Sequence, residues 1–135
     1  MSNIKTTIQD NIVLNIVEGE FQLEEIIHPV ENNREKYANM PTLWDFNKAI
    51  YKTSSFEEMT DFVMQKHEFL KPKNDFKIAF FSENSVMFGQ LKMFQALVKN
   101  HCKNCNFESF YELDKAINWL QENDGRVIRK NDSET

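Results

Sequence analysis

The chain has 135 residues and a formal net charge of −5, with 41% hydrophobic residues and twelve Phe. That length and apolar content suit one domain with a packed core, needing neither metal nor disulfide support. The acidic balance lacks the basic face of a phosphate-tracking nucleic-acid binder, and no apolar run approaches the ~20 residues that cross a bilayer.

The first residues carry no apolar signal core, and two cysteines are too few for a secreted disulfide scaffold. The expected localisation is therefore cytoplasmic.

Ile4, Thr6 and Ile8 alternate with polar neighbours, the pattern of a half-buried strand. Asp10-Asn11 forms a turn pair, and Ile12, Leu14 and Ile16 resume the alternation, which predicts a β-hairpin. After Gly19 the period turns helical, with Phe21, Leu23, Ile26 and Ile27 on one side. Pro29 should kink or restart that helix, giving pieces over 20–28 and 30–37. Pro41–Asn47 reads as a short hydrophobic strand, and 48–53 as a loop.

Ser54 and Ser55 stand before a helical pattern with Glu57 and Glu58 at capping-box spacing, and the helix should run to Leu70. Lys71–Asn74 is its exit. Phe76–Phe81 is nearly continuous in apolar residues, as in a strand covered on both faces. Ser82 or Asn84 caps the next helix, whose stripe is Met87, Leu91, Phe94 and Val98. Phe107–Tyr111 is a last strand and Leu113–Leu120 a last amphipathic helix. Residues 1–122 thus form one α/β domain, and 123–135 a polar tail expected to fray.

The hairpin with Asp10-Asn11, Gly19, and the strand Leu43-Trp-Asp-Phe46 resemble the SpoIIAA-like family. So do Phe88-Gly-Gln-Leu-Lys-Met-Phe-Gln-Ala-Leu97 and Ala116-Ile-Asn-Trp-Leu120. This resemblance, over about residues 3–121, implies a STAS/SEC14-type fold: a four- to five-stranded mixed sheet with an N-terminal hairpin and packed crossover helices. It implies a regulatory or binding module rather than a defined reaction. Related STAS domains bind a partner kinase and are switched by phosphorylation of a serine in Asp-Ser-Ser/Thr-Gly. The corresponding residues here are Thr53-Ser54-Ser55-Phe56, with the serines kept and the Asp and Gly lost.

A phosphate on Ser54 or Ser55 would meet a helix N-terminus, which favours negative charge, but Glu57 and Glu58 would repel it. Capping is the weightier reading. His101-Cys102-Lys-Asn-Cys105 offers at most three zinc ligands where a structural site takes four. It follows a helix C-terminus, where the dipole disfavours a thiolate, so both cysteines read as incidental. His28 and His67 have no partner at a spacing that would make either a catalytic base. Nothing calls for a metal or a cofactor.

Phe88 and Met93 fall partly off the α-helical stripe and mark a surface for an apolar ligand or a protein partner, although most of that apolar content belongs to the core. The leading expectation is a non-enzymatic module that binds a protein partner, with self-association left open. The alternative is a carrier or sensor of a small, lipid-like apolar ligand.

Overall fold

The computed structural model describes residues 3–37, 40–51, 56–70, 77–100 and 106–122. Five strands, β1 (Asn3–Gln9), β2 (Ile12–Phe21), β3 (Thr42–Tyr51), β4 (Lys77–Phe81) and β5 (Asn106–Phe110), form one sheet in the order 1-2-3-4-5. The β1–β2 pair is antiparallel and the remaining pairs are parallel. Among the described residues, four α-helices accompany the sheet: α1 (Ile27–Lys36), α2 (Phe56–Leu70), α3 (Ser85–Lys99) and α4 (Leu113–Gln121). Ser54, Ser55, His101, Cys102, Cys105 and the tail 123–135 lie outside the described residues. The α/β class, mixed sheet and N-terminal hairpin are as the sequence predicts.

Asp10 and Asn11 adopt φ of 52° and 64°. Two successive left-handed residues give the turn whose twist matches paired strands, and Asn and Asp tolerate that region best among residues with a Cβ. The strand-to-helix boundaries differ from the expected ones. β2 does not stop at Gly19 but continues to Phe21, and Gly19 takes φ 87° within it, a conformation glycine alone adopts freely. A 3-10 turn, Leu23–Ile26, then leads into α1. Pro29 lies in the first turn of α1, where a missing donor costs least, so one helix forms in place of two pieces.

Likewise β3 extends through the predicted loop to Tyr51. Its pairing with β4 stops at Asp45↔Phe81, while pairing with β2 continues through a bulge to Phe21↔Tyr51. The Asp45 side chain accepts from the Asn47 N–H at 2.8 Å, which steadies the bend.

Alternation along the strands divides the interior in two. Val17, Trp44, Phe46, Phe80 and Phe107 face α1, α2 and α3, whereas Leu43, Ala79 and Phe81 face α4. Three consecutive parallel crossovers that step in one direction with one hand must place their helices on one face; α4, after the last strand, covers the other. The α3 stripe Met87, Leu91, Phe94 and Val98 is buried as predicted, and of the two candidate caps it is Asn84 that accepts from the Met87 N–H at 3.0 Å.

Two polar networks fix helices to strand ends. Lys77 at the start of β4 donates to the carbonyls of Trp119, at 2.7 Å, and Glu122, at 3.2 Å, and its ammonium lies 4.9 Å from the Trp119 ring centroid. It therefore closes the C-terminus of α4, where backbone carbonyls have no helical partner. On the outer flank of α3, Gln95 donates to Glu108 and accepts from Ser109 Oγ at 2.6 Å, and Lys92 reaches the same Glu108 oxygen at 3.2 Å. Partial burial pushes the Glu108 carboxyl up, but hydrogen bonds from Gln95, Lys92 and the Ser109 N–H outweigh it and hold the group below its ordinary value of 4.5.

Replacing Lys77 with Met keeps the stem over Trp119 and removes the cap. The expected loss is about 1–2 kcal/mol in chemical denaturation, and an unchanged midpoint would refute the capping role. For Glu108 the sign follows from linkage. A carboxyl depressed in the folded state contributes stability above its unfolded pKa and loses it as pH falls through the folded one. Glu108→Gln should therefore shrink the loss of stability below about pH 4.5; denaturation series at stepped pH with the same acid slope in both proteins would contradict this.

Candidate functional site

The sheet face that carries α1, α2 and α3 is unusually rich in aromatic rings. Phe21 stacks between Phe46 and Tyr51 at centroid distances of 5.3 and 5.2 Å, and Trp44 stacks on Phe46 at 5.9 Å. Phe80 meets Phe107 and Phe94 edge-on at 5.7 and 6.1 Å. Offset-stacked and edge-to-face pairs are the favoured geometries for such rings, and rigid planes held this way do not collapse into the gaps between them.

A cavity of about 70 Å³ remains among them, partly open to solvent. Its floor is the aromatic surface of β2, β3 and β4. Leu23, Ile26 and Val30 close it from the 3-10 turn and α1, Met59 from α2, and Met87, Gln90, Leu91 and Phe94 from α3. A water needs about 10–15 Å³ by this kind of measure, so the space is several waters large. Among the described residues, no Asp, Glu, Lys, Arg or His lines it.

Gln90 stands out in that wall. It lies three residues after Met87 and four before Phe94, so helical periodicity places all three on adjoining parts of one face. It is half-buried, and its side-chain amide makes no hydrogen bond with any described residue.

A second concavity, of about 90 Å³, lies on the opposite face between the hairpin turn and α4. Its lining mixes apolar residues with Asp10 and Asp45, and Asp45 is already engaged by the Asn47 N–H. Among the described residues no group of three or more His, Cys, Asp or Glu side chains is arranged to hold a metal.

Of the residues singled out from the sequence, neither Phe88 nor Met93 lines the apolar cavity. Phe88 is half-buried on the outer flank of α3, stacked on Tyr111 at 3.7 Å with the Lys92 ammonium 5.7 Å from its ring centroid. Met93 packs against the main core as a partly buried residue. His28 is exposed.

Among the cavity residues that sequence reasoning passed over are Trp44, Tyr51 and Gln90. Tyr51 was hidden by assigning 48–53 to a loop. The signal for Gln90 was present: a polar residue at i+3 from Met87 interrupts the apolar surface of α3.

No family model matches the chain, and no curated protein does. Among solved structures, the chain is similar to an uncharacterized protein of the DUF3478 family with a SpoIIAA-like fold, from Shewanella loihica PV-4. The two share 12% identity at a TM-score of 0.49, over 88% of this chain and 93% of that one. The observed element order, an N-terminal hairpin leading into parallel strands joined by crossover helices, agrees with what the resemblance implies.

Proposed function

We propose that the protein is a non-enzymatic binding module that holds a small apolar ligand in the cavity between the sheet and α1–α3, as a carrier or sensor. The supporting observation is an aromatic- and methionine-lined space of about 70 Å³ beneath α1–α3. Protein interiors seldom leave voids larger than a water molecule. A dry cavity of this size would cost on the order of 2 kcal/mol, and an apolar occupant would offset that loss. A wall whose described residues include no carboxylate, amine or imidazole favours binding over acid–base chemistry.

A second reading, partner binding, is favoured by a different surface. Val86, Tyr111 and Leu113 are 70%, 49% and 40% exposed, and Tyr111 carries the stacked Phe88. All four belong to the segments that follow the carboxyl ends of β4 and β5, where α/β sheets commonly present their binding surfaces. On this reading Phe88 contributes to a protein contact. Phosphorylation of Ser54 or Ser55 would regulate it by placing charge before α2, against the repulsion of Glu57 and Glu58. We place either activity in the cytoplasm; among the described residues no helix is long and apolar enough to cross a membrane.

The chain has two tryptophans, and Trp119 lies on the α4 side. Trp119→Phe therefore leaves Trp44, a cavity wall residue, as the reporter. Xenon and cyclopentane should shift Trp44 emission and the NMR methyl signals of Met59 and Met87. Adding Val30→Phe should abolish those shifts while stability stays within about 1 kcal/mol. Shifts that survive Val30→Phe, or that fall on surface residues, would refute the cavity as the site.

A further inference from the structure

We infer that the cavity selects an uncharged, hydrogen-bonding molecule with a short apolar body, such as a small alcohol, amide or ketone, whose polar group is read by Gln90. This rests on the ligand-binding reading above and names its ligand class. The apolar body follows from the wall, where Ile26, Met59, Leu91 and Phe94 leave about 70 Å³. That is roughly half the ~150 Å³ of an engineered apolar cavity that accepts benzene, so a short chain, a small branched group or, because the space is partly open to solvent, one small ring sets the upper limit.

The absence of charge in the ligand follows from what the wall lacks. A carboxylate, phosphate or ammonium drawn into the cavity would shed water with no counter-charge among the described wall residues to meet it, which is among the costliest transfers in a protein. Lys92, the cation on the neighbouring turn of α3, is turned to the other flank, where it pairs with Glu108 at 3.2 Å and lies against the Phe88 ring. Lys77 is held by the C-terminal carbonyls of α4. Neither lines the cavity.

The hydrogen-bonding group follows from Gln90. An amide set into an apolar wall, with no side-chain partner among the described residues, keeps both a donor and an acceptor available to an occupant. Its half-burial leaves it hydrated when the cavity is empty. A hydrocarbon would strip that water without replacing its bonds, whereas a neutral polar group restores them. The amide discriminates by hydrogen bonding and the bare wall discriminates by charge.

The test uses the full chain with Trp119→Phe, reading Trp44 emission, and compounds of matched body: 1-butanol, butyramide, butyrate, butylammonium and cyclopentane. Butanol and butyramide should bind at least tenfold more tightly than butyrate and butylammonium. Gln90→Leu should weaken butanol and butyramide about three- to tenfold and leave cyclopentane unchanged or tighter.

Butyrate binding as well as butanol, or Gln90→Leu weakening all compounds alike, would overturn the inference. Cyclopentane matching butanol in both proteins would overturn it while leaving the apolar-ligand reading intact. Failure of every compound to move Trp44 would overturn both.

Discussion

The side chains that β3 sends to its two faces govern the rest of the molecule. Toward α1–α3 it presents Trp44 and Phe46, large planes stacked on one another and on Phe21. Toward α4 it presents Leu43, beside Ala79 on β4 and Ala116 on the helix itself, both fully buried. Small residues let α4 settle directly onto the sheet, and Lys77 locks its end in place. Rings on the other face hold three helices at a distance that aliphatic and methionine side chains do not completely fill. The cavity is thus associated with the stacked rings that β3 and β2 present toward α1–α3.

Much of the scaffold was legible in the chain because its signals are local. Asp10-Asn11 demands left-handed backbone, the apolar run before Phe81 suits a strand covered twice, and the Met87–Val98 stripe has the period of a helix. Non-local pairing accounts for the misread boundaries. Lys48-Ala-Ile-Tyr51 looks like a loop because Lys48 and Ile50 are exposed, yet β2 is present to pair with it. Gly19 looks like a terminator, yet it relieves backbone strain inside β2. The cavity was less legible still. Its wall comes from six stretches of chain that only the folded protein brings together, and Phe88 and Met93, the off-stripe residues of α3, are not among its lining: Phe88 stacks on Tyr111 and Met93 packs at the margin of the main core.

Charge is kept to the periphery in the same economy of placement. Lys92, Gln95, Glu108 and Ser109 satisfy one another along the α3–β5 edge, so a charged group stands near α3 without facing its apolar side. The helix consequently has two chemically distinct flanks: one tied up in hydrogen bonds to β5, the other carrying the Gln90 amide, which has no side-chain partner among the described residues. A network closed on itself adds rigidity but no recognition, which leaves Gln90 as the polar contribution of α3 to the aromatic chamber.

The bulge in β3 has a consequence for how the protein meets other chains. Beyond Asp45, β3 stays with β2 but has parted from β4, so a strand that begins in the middle of the sheet runs on past the end of its β4 ladder. Such an overhang invites a foreign strand to add to it and seeds association. Asn47, which spends its side chain on the Glu83 N–H, and exposed Lys48 stand where that addition would start. A lysine and a committed amide make the opening a poor template, so the step that bends the sheet is also guarded against aggregation.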